Sequence, residues 1–190
     1  MIILTGFGPF GRYTVNLSSQ IVKKLPFELD EFHFIKKIIP VNWKESIRIY
    51  KGILYKLQSN PELVVLLGIH TKRNFNLEYN AWNFKLGDDE DNKFKFGPIK
   101  FNSPPWIKTI LNLNGIYASL EDKEKISISF FPGFYICNYL YYWALYLSKK
   151  EYPVIFIHIP SEGNLPEYIQ KVKTILSSII KINLKKDLYI

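Results

Sequence analysis

The chain has 190 residues, 47% hydrophobic, 16% aromatic and 22% charged, a balance that buries one sizeable core and excludes a disordered chain. The formal net charge is +8, but the lysines are scattered as pairs (Lys23-Lys24, Lys36-Lys37, Lys149-Lys150, Lys185-Lys186) with no RNA- or DNA-binding signature beside them, so the surplus reads as a solvated surface and nucleic acid is not an expected partner. No apolar run reaches the ~18 residues of a membrane span, MIILTGFGPFG is too short and glycine-rich for a signal-peptide core, and the lone cysteine cannot close an intramolecular disulfide; a soluble, cytoplasmic protein with a single domain over residues 1–190 and no membrane partner is expected.

The first predicted strand is IILT, residues 2 to 5. It leads into GFGPFG (6 to 11), which satisfies the G-x-G-x-x-G pattern of dinucleotide-binding loops. Pro9, however, lacks the N–H that such a loop offers a pyrophosphate, and Phe10 puts a ring where close approach is needed. A loop carrying Phe7 and Phe10 fits better as an apolar wall around a neutral ligand. Residues 16 to 25 read as a helix, and FHFIKKII (32 to 39) as a strand that runs into Pro40 without the acidic residue a dinucleotide ribose requires. Residues 43 to 58 read as a second helix and LVVLL (63 to 67) as a buried strand. GDDEDNKFKFGPIKFNSPP (87 to 105) reads as a long polar loop, a candidate lid or subunit contact. A helix over 105 to 113, a strand at ISISF (126 to 130), a helix over 136 to 149 and a strand at VIFIHI (154 to 159) follow. The last helix, 166 to 181, sets Ile169, Val172, Leu176 and Ile179 on one face. This alternation predicts an α/β fold, a three-layer α/β/α sandwich around a mostly parallel, mixed central sheet.

Cys137 follows a Pro-Gly turn and opens the helix of 136 to 149. A free cysteine is most often a buried small hydrophobe, but at a helix start the dipole favours its thiolate, and a substantial thiolate fraction near neutral pH is expected. His33 and His70 lie beside charged stretches, whereas His158 sits at the carboxyl end of a buried strand, where open α/β sheets bind ligands. Glu78, Asp88, Asp89 and Asp91 all remain open as the acid that orients such a base.

LTGFGPFG with Asn16 shortly after it, PELVVLLG, LEYNAWN, GFYICNYLYY and FIHIP occur in that order, and together they resemble the pyrrolidone carboxyl peptidases, or pyroglutamyl peptidases I, over nearly the whole chain. The resemblance implies a Cys/His/Glu peptidase that removes an N-terminal pyroglutamyl residue from a peptide or small amide. Cys137 then matches the nucleophile, His158 the base and Glu78 the acidic partner, with no metal or other cofactor required. Phe7 and Phe10 match the aromatic residues that sandwich the pyrrolidone ring, and Asn16 a residue beside that pocket. Where the family usually has GQAGGR this chain has GIHTKR at 68 to 73, so Ile69 stands at the usual glutamine position and backbone groups near it must supply the lactam's hydrogen bonds. Asp88 stands where the family commonly has an arginine. The family often forms homodimers or homotetramers, which the aromatic content here allows.

Overall fold

The computed structural model describes residues 1–184, so Lys185-Lys186 lies outside the described residues. In chain order its strands are β1 (Ile2–Phe7), β2 (Glu28–Leu29), β3 (Phe32–Ile39), β4 (Leu63–His70), β5 (Phe75–Glu78), β6 (Asn80–Trp82), β7 (Lys85–Asp88), β8 (Phe94–Gly97), β9 (Trp106–Lys108), β10 (Ile126–Ser129) and β11 (Val154–Pro160). Its α-helices are α1 (Leu17–Lys24), α2 (Trp43–Tyr55), α3 (Leu113–Ser119), α4 (Ile136–Ser148) and α5 (Leu165–Ile179), the last continued by a π-helical turn at Ile180–Leu184.

A seven-stranded mixed sheet in the order β10-β5-β11-β4-β1-β3-β2 forms the middle layer. The β1–β3, β1–β4, β4–β11 and β5–β10 pairs are parallel, whereas β5 meets β11 antiparallel. β4 and β11 are apolar along nearly their whole length because helices cover both of their faces. Even positions of these two strands, such as Val64, Leu66, Val154 and Phe156, pack under α2 and α4. Odd positions such as Val65, Leu67, Ile155 and Ile157 pack under α1, α3 and α5. The period-2 alternation thus sorts the apolar side chains of the two central strands between two cores, and it decides below which residues can share a site.

Two expectations from the sequence are corrected. The stretch 105 to 113 is no helix: β9 pairs antiparallel with β6, Trp106 opposite Trp82, and the helix begins only at Leu113, where Asn112 accepts from the Gly115 N–H at 3.0 Å. Pro104 and Pro105 bias the preceding backbone to extended conformations, and the Asn cap sets the later start. The stretch 87 to 105 is no open loop, since β7 and β8 pair as a hairpin with Leu86 opposite Phe96. Asp89 organises its turn, Oδ1 accepting from the Asp91 and Lys93 N–H groups, both at 3.0 Å. No helix among the described residues is long and apolar enough to cross a membrane.

Candidate active site

The carboxyl ends of β4 and β11 place the chemistry-bearing side chains. His158 is an even position of β11 and therefore faces α4, the helix that carries Cys137. In the antiparallel register of β5 with β11, Glu78 lies opposite Phe156 and Asn76 opposite His158. Residues directly opposite share a face, so Glu78 is the diagonal neighbour of His158, within reach of a long side chain. The buried carboxylate makes that contact: Glu78 Oε1 accepts from His158 Nδ1–H at 2.8 Å. Because a carboxylate can only accept, Nδ1 carries the ring proton and Nε2 is the basic nitrogen. Of the four carboxylates left open by the sequence, Asp89 is used by the hairpin turn and by the Trp43 N–H, Asp91 binds Asn42 and Lys93, and Asp88 is exposed.

Gly68 is what admits the sulphur. It is the register partner of His158 on β4, and a Cβ placed on it would lie 2.6 Å from Phe156 Cζ and 2.9 Å from Cys137 Sγ. The thiol therefore rests over the bare backbone of Gly68 and makes no hydrogen bond to His158 among the described residues. Asn138, the next residue of α4, donates to the Trp82 and Phe84 carbonyls and accepts from the Trp82 N–H, each at 2.8 Å. It ties α4 to the segment that follows Glu78.

The expectation of a thiolate at rest is also corrected. Burial first, and the negative charge of Glu78 second, push the Cys137 thiol up to about 12. A helix dipole contributes at most ~2 kcal/mol, about one and a half pH units, too little to reverse this. The residue as a whole is only partly covered, but the sulphur lies in its buried part. The helix start is nevertheless unusual: α1, α2, α3 and α5 are each capped by an asparagine side chain, whereas Tyr135 caps α4 with none. Gly133, at φ +81°, turns the chain into it.

A second histidine, missed as a functional residue in the sequence, joins the first. The His70 ring stacks on that of His158, centroids 5.1 Å apart and planes 17° apart. Its Nε2–H donates to the Asn74 carbonyl at 2.7 Å. Burial, then the neighbouring His158, holds its imidazole down to about 4, so it is neutral near pH 7. Together with Glu78, Asn76, Gly133 and His158 it lines a cavity of about 200 Å³. The signal for both Gly68 and His70 was available, since a glycine inside a strand marks close approach and His70 repeats its period-2 face.

The remaining residues singled out from the sequence are placed as follows. Phe7 is buried on the α4 side, its ring centroid 6.4 Å from that of Phe156. Phe10 is half-buried between Tyr13 and Tyr135, at 5.2 and 6.3 Å. Asn16 is buried and fully engaged: Nδ2 donates to the Gly8 carbonyl at 2.9 Å, and Oδ1 accepts from the Ser18 N–H and hydroxyl. The Ile69 side chain belongs to the opposite core, under α1 and α5, so only its backbone faces neighbours of the site. In the GFGPFG loop the N–H groups of Phe7, Gly8 and Phe10 bond Ser18 Oγ, Ile39 O and Tyr13 O, which leaves none of these three for a pyrophosphate. Among the described residues no group of three His, Cys, Asp or Glu side chains is arranged to hold a metal ion.

A family model described as pyroglutamyl peptidase matches residues 1–183. The chain belongs to the pyroglutamyl peptidase family. It is 34% identical over 167 residues to the pyrrolidone-carboxylate peptidase of Lactobacillus acidophilus, covering 84% of this chain and 82% of that one. It is 30% identical over 184 residues to that of Thermosipho africanus, covering 93% and 87%. The structure of the pyrrolidone carboxyl peptidase of Thermococcus litoralis superimposes with a TM-score of 0.87 at 24% identity, over 95% of this chain and 93% of that one, a likeness of fold.

Proposed function

We propose that this protein is a cysteine peptidase that removes N-terminal pyroglutamyl residues, with Cys137 as nucleophile, His158 as base and Glu78 as the residue orienting it. The observation that carries the reading is the buried His158–Glu78 pair, 2.8 Å apart, beside a sulphur seated on Gly68. The thiol is neutral at rest, so its proton passes to His158 Nε2 as the sulphur attacks the pyroglutamyl carbonyl. Glu78 stabilises the imidazolium that forms. The uncapped N–H groups at the start of α4 are the natural donors to the oxyanion. His158 then returns the proton to the departing amine, and water releases the acyl-enzyme. The stacked His70, neutral at working pH, adds no charge beside the imidazolium.

Phe7 and Phe10 are the residues assigned to the apolar walls of the ring pocket, and Asn16 to shaping the loop between them. With the Ile69 side chain turned away, lactam recognition falls to backbone groups at residues 68 to 70, and preference over a ring lacking the lactam is reduced. Release of a fluorophore from pyroglutamyl, prolyl and alanyl amides tests this. Pyroglutamyl cleavage by wild type, with a modest preference over prolyl and loss in Cys137→Ala, is expected. No pyroglutamyl cleavage by the folded protein overturns it.

A further inference from the structure

Beyond the cavity at His158 the protein carries a larger cleft of about 520 Å³, whose walls include Arg12, Lys72, Arg73 and Lys125, with Glu162 as its one carboxylate. The two spaces are neighbours, because Thr71 and Lys72 border both. They also share one edge of the sheet. Arg12 follows β1, Lys72 and Arg73 follow β4, Glu162 follows β11, and Lys125 precedes β10, which runs opposite to β11. These cations stand far apart in the chain, so composition alone reads them as part of a diffuse surplus, whereas the fold gathers them beside the site.

None of Arg12, Lys72 or Arg73 has a carboxylate within 4.0 Å among the described residues. Arg12 donates to the Tyr13 hydroxyl at 3.3 Å and is drawn toward Glu162, and Lys125 has Glu124 at 3.9 Å. The cleft therefore keeps a surplus of positive charge, which a concave wall focuses on whatever enters it.

We infer that this cleft is the leaving-group subsite of the enzyme and selects pyroglutamyl peptides whose next residues are acidic. The inference rests on the catalytic reading above for its direction. The base that returns a proton to the leaving amine lies on the leaving-group side of the scissile bond, so the departing peptide emerges past His158. The space past His158 is bounded by His70, Thr71 and Lys72, and the last two also border the basic cleft. Carboxylate side chains one and two residues beyond the scissile bond then meet Lys72, Arg73 and Lys125. Because these cations are exposed, the gain is that of screened pairs, about five- to tenfold in kcat/KM at low salt and fading as ionic strength rises.

The test compares pyroglutamyl-Glu-Glu-amide, pyroglutamyl-Gln-Gln-amide and pyroglutamyl-Lys-Lys-amide at low and high salt, with wild type and Arg73→Gln/Lys125→Gln. The expected order is Glu over Gln over Lys at low salt, with the Glu-to-Gln ratio falling toward one in the variant and at high salt. Cleavage of all three peptides with a Glu-to-Gln ratio at or below one overturns the subsite while leaving the peptidase intact. If wild type cleaves none of them, the catalytic reading fails instead. Titration of the same peptides into Cys137→Ala then decides the cleft separately: tighter binding of the Glu peptide supports it, and equal affinity overturns it.

Discussion

The starts of α1 and α4 are both reached from a glycine-containing turn, yet they are finished in opposite ways. At α1 the Asn16 side chain bonds Gly8 on one side and Ser18 on the other, so every polar atom is spent within the fold. At α4 the Tyr135 side chain makes no capping hydrogen bond, and the cysteine sits in that first turn. On the proposed mechanism the difference teaches that a capped helix start here serves stability and an uncapped one is kept free for chemistry. This separation can be attacked by mutation.

The largest effects are expected at the uncapped end. Cys137→Ala and His158→Ala should each lower kcat/KM for a pyroglutamyl amide by about 10⁴-fold or more, and Glu78→Gln by about a hundredfold less than either, because a neutral amide oxygen still holds the imidazole. Steady-state kinetics on protein checked for native circular dichroism decides. Equal losses for all three would make Glu78 more than an orienter.

A sharper attack installs the missing cap. Tyr135→Asn and Tyr135→Ala lose the same ring contacts with Trp43 and Phe10, but only asparagine offers an oxygen to the free N–H groups. Tyr135→Asn should be the more stable of the two by about 1 kcal/mol and the slower by about 10²-fold in kcat, if those donors serve the oxyanion. Thermal melts and kcat on the pair are the measurement, and equal kcat values would assign the donors no part.

Thiol reactivity follows. With Cys137 pushed up to about 12 by burial and by Glu78, alkylation of the free protein should be slow at pH 7 and rise about tenfold per pH unit without levelling below pH 10. A plateau below pH 8 would restore the dipole as the stronger influence.

At the capped end, Asn16→Ala should cost about 1–2 kcal/mol, a fall in Tm of about 2–8 °C. A drop in kcat/KM beyond what unfolding explains would give Asn16 a direct role in the pocket. The smallest effect concerns His70. Its folded value of about 4 lies below the ordinary 6.5, so the stability of the neutral ring is fully present above pH 6.5 and is lost as pH falls toward 4. The groups facing it are His158, Glu78, Lys72 and the Asn74 carbonyl, and solvent screening reduces the contribution to about 1 kcal/mol. His70→Gln should flatten the decline in Tm over that window by about 2–4 °C.

The sheet and most helices were legible because long apolar runs carry their own period: the strands at 32 to 39 and 154 to 159 and the helix at 136 to 149 lie within a residue of where patterning puts them. β5 was not, since PheAsnLeuGlu at Phe75–Glu78 is too short to show a period and is a strand only because β11 and β10 flank it. The same holds for the site. A cysteine at a helix start and a histidine at a strand end can be read from local context, but the choice of Glu78 over Asp89 is a matter of register between strands that are distant in the chain. Gly68 and His70 were lost because the strand at 63 was read to stop at 67, one residue short of the glycine that the sulphur rests on. The clustering of Arg12, Arg73 and Lys125 is likewise a product of three separate strand ends meeting at one edge.

The Asn138 side chain, bonded to the backbone of residues 82 and 84, has a consequence for how the molecule opens. It stands in for a neighbouring strand, so α4 and the β6 segment can separate only by breaking three hydrogen bonds together with the packing under Tyr141 and Tyr142. Cys137 and Glu78, distant in the chain, therefore belong to one cooperative unit. Solvent deuterium should reach the Trp82 amide only in excursions close to global unfolding, so the arrangement of Cys137, His158 and Glu78 should be retained through every smaller fluctuation of the loops around it.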